Sequence, residues 1–254
     1  MTPALSLHAL PGIPEVVPGD DIAELIVAAL GRFEVRDHDI LVVAQKIVSK
    51  AEGRLVALGA VRPGPEALAL APKVDKDPRL VELILRESNA VVRHCPGVLV
   101  VEQKLGLVMA NAGIDHSNVS QAGEDDDTVL LLPVDPDASG RAIRNALAGR
   151  LGVDVGIVIA DSIGRAWRTG TTGHAIGVAG LPAVVDLRGD LDRHGRALRV
   201  SEQAVADELA AAASLVQGQA AEGLPVVLVR GFRSPAPHQG AGALLRPRER
   251  DLFR

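Results

Sequence analysis

Three polar clusters, each trailing an apolar run, hold the residues of this sequence best suited to chemistry. Gln45-Lys-Ile-Val-Ser-Lys-Ala-Glu-Gly-Arg54 places two cations four residues apart. On a helix Lys46 and Lys50 share one face, and like charges at that spacing cost about a few tenths of a kcal/mol unless an anion lies between them. A phosphate would be such an anion, and Gly53 would let backbone approach it; the plain alternative is a solvated basic turn. Asn111-Ala-Gly-Ile-Asp-His-Ser-Asn-Val119 offers Asp115 and Asn118 as oxygen ligands for a hard cation such as Mg²⁺ or Mn²⁺, or else an Asx-type turn. Ile159-Ala-Asp-Ser-Ile-Gly-Arg-Ala-Trp-Arg-Thr-Gly170 puts Asp161 and Ser162 at a strand end, with Arg165 and Arg168 able to neutralise charge on a transferred phosphoryl group. A cap plus surface arginines accounts for Asp161 and Ser162, but not for the density of Gly, Thr and Arg. Together these are the tools of metal-assisted phosphoryl chemistry. A kinase, a nucleotidyltransferase, a ligase and a phosphate-binding regulator all fit them.

The elements around the clusters follow from periodicity and punctuation. Asp20–Asp21 caps a helix over Ile22 to Leu30. Asp39 to Ala44 reads as a buried strand leading into the first cluster. Pro63 to Pro72 reads as a loop or broken element, interrupted by prolines. Pro78 to Ser88 is a helix, and Val98–Val101 and Leu107–Ala110 are two strands around a Lys104–Gly106 turn. Asn111 to Val119 is a loop, Glu124 to Asp127 an acidic solvated run, and Leu130–Leu132 a short strand. A helix over Ser139 to Leu151 and a strand over Val153 to Ala160 then lead to Asp161. Gly164 to Gly180 is rich in glycine and hydroxyl residues and reads as a functional loop or irregular strand. Ser201 caps a helix to about Leu215, Pro225 to Val229 is a last strand, and the tail beyond Ser234 is expected to be partly mobile. Helices, strands and hairpins mix irregularly, which predicts an α+β or mixed α/β fold.

Composition narrows the classes. The 254 residues are 47% apolar and 23% charged, a globular profile. A net charge of −5 argues against nucleic-acid binding, and so does an aromatic content of 2%, too low for a stacking surface. Cys95 is the one cysteine, so neither a disulfide framework nor a multi-cysteine zinc site is expected, and a reducing, cytoplasmic setting follows. No basic region precedes the first apolar residues and no apolar run reaches membrane-spanning length, so neither a secretion signal nor a membrane anchor is expected. The common phosphate-loop, dinucleotide-fingerprint, zinc-protease and serine-hydrolase motifs are missing. The seven histidines are scattered, as structural or surface histidines are.

Read in order, the clusters resemble the coenzyme F420-0:L-glutamate ligase family. The likeness is carried by Pro11-Gly-Ile-Pro14 with Gly19-Asp-Asp-Ile22, Gln45 to Gly53, Asn111-Ala-Gly-Ile-Asp115 with Ser117-Asn-Val119, and Asp161-Ser-Ile-Gly-Arg165. Ala175-Ile-Gly177, Val205-Ala-Asp-Glu-Leu209 and Pro225-Val-Val-Leu-Val-Arg-Gly231 continue it. The resemblance implies a GTP-dependent acid–amino-acid ligase that joins L-glutamate to the lactyl-phosphate side chain of the deazaflavin F420-0, then adds further γ-linked glutamates. It implies an α+β fold of two intertwined subdomains, a homodimer, Mn²⁺ or Mg²⁺ at two sites, and K⁺. The chain is expected to be a ligase domain over 1–234 and a tail over 235–254. It resembles the bacterial stand-alone form, without the nitroreductase-like domain to which that ligase can be fused.

The same resemblance assigns residues. Ile13, Pro14, Glu15, Val16, Gln45, Lys46, Lys50 and Asn118 are implied to contact the guanine nucleotide. Asp115 and Asp161 are implied to ligate a first metal, with Ser162 and Gln219 at a second. Lys50 and Arg165 are implied to help catalysis by screening phosphate charge. Two departures are visible: Gln45–Lys46 replaces a Ser–Thr pair, and Gln219 stands where archaeal members carry glutamate. Two other functions fit the motifs: a related ligase with another carboxylate acceptor, and a GTP-binding regulator without turnover.

Overall fold

The computed structural model describes residues 4–31, 33–116 and 127–252. Its elements in chain order are β1 (Ser6–Ala9), α1 (Ile22–Leu30), β2 (Ile40–Ala44), α2 (Gln45–Ala51), β3 (Leu55–Ala57), α3 (Pro65–Val74), α4 (Pro78–Arg86), β4 (Ser88–Cys95), β5 (Val98–Gln103), β6 (Val108–Ala110) and β7 (Thr128–Leu130). There follow α5 (Pro136–Leu151), β8 (Gly156–Arg165), β9 (Arg168–Ala179), β10 (Val185–Asp186), β11 (Glu202–Gln203), α6 (Val205–Gln217) and β12 (Val226–Arg230). The mixture of helices with several sheets is the α+β class expected. Among the described residues no helix is long and apolar enough to cross a membrane.

A five-stranded sheet ordered β1-β12-β2-β8-β9 forms the centre. β2 and β8 are parallel and the other pairs antiparallel. Side chains alternate faces along a strand, and here both faces are buried, which is why β2, β8 and β12 read as continuous apolar runs. Leu41, Val43, Ile157, Ile159, Val226 and Leu228 enter one core with Ile26 of α1, Val48 of α2, and Ile143 and Leu147 of α5. Ile40, Val42, Val158, Ala160, Val227 and Val229 enter another with Val205, Ala206, Leu209, Ala210 and Ala213 of α6. Asp21 starts α1 as expected, its carboxylate accepting the Glu24 N–H at 3.0 Å.

The glycine-rich stretch after Gly164 is a strand, not a loop. β9 runs from Arg168 to Ala179 as the partner of β8. Its glycines admit helices: a Cβ on Gly173 would lie 2.3 Å from the Ala210 carbonyl oxygen of α6, and one on Gly177 2.5 Å from the Pro136 oxygen of α5.

Between α2 and α5 the chain leaves the sheet and builds a second unit. β3 pairs with β7, and β4, β5 and β6 form an antiparallel meander. α3 and α4 cover a core that includes Leu58, Val74, Val81, Ile84, Leu99, Val101 and Val129. Arg54 closes the neck: its carbonyl accepts the Leu131 N–H at 3.1 Å, its Nε donates to the Leu132 carbonyl at 2.8 Å, and its guanidinium pairs with Glu87 at 2.8 Å.

Other expectations need correction. Pro63 to Pro72 is not broken. Pro65 opens α3 at its first turn, where a missing N–H costs nothing, and Pro72 deprives only the Leu68 carbonyl on an exposed stretch. Ser201 is not a helix cap: α6 begins at Val205 after Ala204, and the Ser201 carbonyl instead accepts the Leu187 N–H at 3.0 Å. β8 does not stop at Ala160 but carries Asp161 within it. Part of the segment after Ser234 is tied down: the Gln239 Oε1 accepts the Val184 N–H at 3.0 Å, and Asp137 accepts the Ala241 N–H at 3.0 Å.

Candidate functional site

The parallel ladder between β2 and β8 ends with Ala44 opposite Ala160. The next residues are Gln45, the first of α2, and Asp161. Ligands of open α/β sheets bind beyond the carboxyl ends of such strands. Gln45 is 1% exposed and fully used. Its Oε1 accepts the Ser49 hydroxyl at 2.8 Å, and its Nε2 donates to Asp115 Oδ2 at 2.8 Å. The Asp115 carboxylate, which only accepts, selects the amide NH2 end, and the Ser49 hydroxyl donates to the other end.

Asp115 arrives from the second unit. An isolated bridge holds its backbone: its N–H donates to the Leu130 carbonyl at 2.9 Å and its carbonyl accepts the Leu130 N–H at 2.9 Å. Lys46 Nζ stands 3.6 Å from Asp115 Oδ1. Burial raises the Asp115 carboxyl above its ordinary range, against the pull of Lys46, Gln45 and His116. Asp161 accepts the Ser162 N–H at 2.8 Å. Burial first, and then repulsion from Asp115, push its carboxyl up to about 6, although the Ser162 amide, Lys46 and Gln45 act the other way. Two carboxylates held close enough to repel, with Lys46 as the nearby cation, form an oxygen-rich centre suited to a hard divalent ion. Among the described residues no three His, Cys, Asp or Glu side chains gather. Further donors to such an ion would be hydroxyl, amide, water or phosphate oxygens, which suits a metal bound together with a phosphate substrate.

Lys46 and Lys50 share a face of α2 as expected, and carboxylates meet both charges. Lys50, 6% exposed, pairs with Glu15. Glu15 lies in the loop whose Val16 is buried in the core and whose Ile13 packs against it. The Gly19 N–H fastens that loop to the end of α2 by donating to the Ala51 carbonyl at 2.9 Å. Pro14 is exposed beside them. The Glu15–Lys50 pair and the Gly19–Ala51 bond thus bring the loop of Ile13, Pro14, Glu15 and Val16 against α2, which carries Gln45, Lys46 and Lys50.

The remaining expected residues divide. Ser162 is exposed next to Asp161. Arg165 lies four residues further along β8, with its Nε buried and unpartnered among the described residues. Gln219 is exposed in the turn after α6 and makes no side-chain hydrogen bond to the described residues. That turn is anchored at the same sheet end, because the Pro225 carbonyl accepts both the Gln217 amide at 3.0 Å and the Ala44 N–H at 2.8 Å. Asn118 lies outside the described residues.

One residue escaped sequence reasoning. His174 is the cross-strand partner of Asp161, and its Nδ1 lies 2.9 Å from the Thr172 carbonyl. Strand pairing was the only signal for it, and the glycine-rich stretch hid the strand. Asn111 and Ala112 both take φ +54°, and the buried Asn111 Oδ1 has no partner among the described residues. That left-handed turn swings the chain from β6 towards Asp115.

Comparison with known proteins adds a family. The family model described as F420-0:Gamma-glutamyl ligase matches residues 12–231. A coenzyme F420:L-glutamate ligase of Methanothermobacter thermautotrophicus is 48% identical, over 98% of this chain and 99% of that protein. Proteins of the same description from Methanopyrus kandleri, 44% identical over 99% of this chain and 98% of theirs, and Haloarcula marismortui, 42% identical over 98% and 96%, are similar along their whole lengths.

Proposed function

Starting from the fact that the chain belongs to the F420-0:gamma-glutamyl ligase family, we propose that it joins L-glutamate to F420-0, and then further glutamates through γ-linkages, at the expense of GTP. The observation that carries the reading is the meeting of Gln45 and Lys46, Asp115, and Asp161, from three distant stretches of chain, at one sheet end.

The terminal carboxylate of the acceptor attacks the γ-phosphorus of GTP. A new O–P bond forms, the bond to the β-phosphate oxygen breaks, and GDP leaves with its electron pair. The glutamate amine then attacks the acyl carbon, phosphate departs, and the amine proton passes to solvent or base. Asp115 and Asp161 would hold a first Mn²⁺ or Mg²⁺ and Ser162 with Gln219 a second, and such ions would supply charge neutralisation on the phosphates. Lys50 and Arg165 add positive charge where the transferred phosphoryl group becomes more negative. Ile13 to Val16, Gln45, Lys46 and Asn118 receive the nucleotide, so Lys50 exchanges its Glu15 partner for a phosphate oxygen. Gln45, locked by Ser49, keeps Asp115 oriented in both states. K⁺ and a homodimer belong to the same reading.

The test is a mass-spectrometric assay with F420-0, L-glutamate, GTP, Mn²⁺ and K⁺, with no-nucleotide and ATP controls. Products spaced by one glutamyl unit that need GTP support the reading. GDP released only with another carboxylate acceptor replaces the substrate, and GTP bound without product or hydrolysis replaces the ligase with a regulator.

A further inference from the structure

α2 follows β2 directly and carries Lys46 and Lys50 one turn apart. Each ammonium already faces a carboxylate, but the two carboxylates differ in kind. Lys50 pairs with Glu15, a carboxylate outside the candidate metal site. Lys46 Nζ stands 3.6 Å from Oδ1 of Asp115, one of the two carboxylates of that site. Its charge reaches the other as well: at Asp161 it opposes the repulsion from Asp115. One ammonium thus supplies positive charge to the very pair that would ligate a divalent ion.

The two donors on Asp115 are unlike. Gln45 donates to Oδ2 at 2.8 Å, is 1% exposed and is tied to Ser49. Lys46 approaches Oδ1 on a flexible four-carbon stem, and its side chain is 30% exposed. The amide is fixed, and the ammonium can leave. An anion would draw it away, and Lys50 on the same face of α2 marks the side from which phosphates would do so. An ammonium and a divalent ion on one partly buried carboxylate are like charges with little screening between them, so they compete.

Resting on the nucleotide and metal reading above, we infer that Lys46 is a resident counter-cation that couples the two ligands. Without nucleotide its ammonium neutralises Asp115 and Asp161 and weakens their hold on a divalent ion. When phosphates bind along α2, Lys46 turns to them, and the carboxylates, still oriented by Gln45, take the ion tightly. Linkage makes the effect mutual: a divalent ion that displaces Lys46 strengthens nucleotide binding by the same factor. Lys46 is in this sense a positioning residue, acting through the charge it gives to or withholds from Asp115.

The experiment is Mn²⁺ binding, followed by the electron spin resonance of the free ion. It compares wild type, Lys46→Gln and Lys46→Arg, without nucleotide and with GDP, at about pH 8 so that protons compete little at Asp161. Removing the charge tightens Mn²⁺ alone about tenfold, within the usual range of coupling between sites. GDP tightens Mn²⁺ on the wild type, and about tenfold less on Lys46→Gln. The Mn²⁺–GDP complex formed in solution is common to both proteins and cancels in that comparison. Lys46→Arg keeps the charge and with it the weak binding of Mn²⁺ alone. A lysine that only held Asp115 in place would give the opposite sign, and one that only touched phosphate would give none. Mn²⁺ binding to Lys46→Gln that is weaker than wild type, or equal to it, therefore overturns the inference. So does a wild type whose Mn²⁺ affinity GDP leaves unchanged, a result that needs no variant. Neither outcome touches the ligase reading, provided wild type makes glutamyl product. Wild type that binds neither GDP nor GTP in calorimetry removes that reading instead.

Discussion

Asp161→Asn is expected to stabilise the metal-free protein while abolishing its turnover. The unfolded chain ionises this carboxyl near its ordinary 3.8, and the folded chain near 6, chiefly because of burial and then because of Asp115. Below the lower value both states hold the proton and the residue costs nothing. Between the two values the folded state alone retains it, so stability falls as pH rises, and above the upper value the whole penalty is in force. At 1.36 kcal/mol per pH unit the penalty is about 3 kcal/mol, an upper limit because Asp161 is part exposed and water screens it. Asparagine keeps the oxygen that accepts the Ser162 N–H and removes the charge. Denaturant titration with chelator present, at about pH 8, therefore gives a variant up to about 3 kcal/mol more stable, or about 6–12 °C in melting temperature for a chain of this size. Near pH 4.5 the gain shrinks to about a third of that. Added Mn²⁺ stabilises the wild type and not the variant, because binding energy adds only where the folded state binds. Equal or lower stability of the variant at about pH 8 would refute the argument that Asp161 is held against burial and a neighbouring charge.

The remaining predictions concern the frame around that carboxylate. Gln45→Ala strands the Ser49 hydroxyl and frees Asp115, so stability falls by about 2 kcal/mol and KM for the divalent ion rises; urea titration and metal-dependent kinetics check both. Gly173→Val drives a branched side chain into the Ala210 carbonyl of α6, 2.3 Å from where its Cβ would stand, and costs about 3 kcal/mol by chemical denaturation. Arg230→Ala leaves Asp39, 0% exposed and gripped by two guanidinium bonds of 2.9 and 2.5 Å, charged and without that partner. A loss of about 3 kcal/mol follows at neutral pH, with part of it recovered by Asp39→Asn in the double variant.

Where burial is two-sided, the sequence was readable. β2, β8 and β12 stand out as apolar runs because neither face meets water, and the Asp21 cap is a local event within one turn. Asp115 and Asp161 stood out because each lies in a short polar cluster that follows an apolar run of the sequence. What stayed hidden depends on partners far away in sequence. β9 read only as a loop or an irregular strand because its glycines are dictated by α6 and α5, which press on it, and a helix's approach leaves no mark in strand periodicity. His174 could not be placed without β9. α3 was obscured by prolines whose positions, one at a helix start and one below an exposed turn, are harmless. Glu15 as the partner of Lys50 spans 35 residues, and β4 escaped because its alternation is weak and mostly exposed.

The site belongs to neither unit alone. The sheet brings Gln45 and Asp161 together through the parallel pairing of β2 with β8, and no tertiary contact beyond that ladder is needed. Asp115 comes from a separate core, fixed by its bridge to Leu130 and by the Arg54 clasp at the neck. The Gln45–Asp115 hydrogen bond and the Lys46 ion pair are thus contacts between units as well as parts of the site. Any cation shared by Asp115 and Asp161 would replace their mutual repulsion with a bridge, strengthening the junction by the free energy with which it binds. The two-unit architecture thereby makes metal affinity and unit closure one linked quantity. Loosening the neck, as Arg54→Ala would, weakens metal binding without touching a ligand.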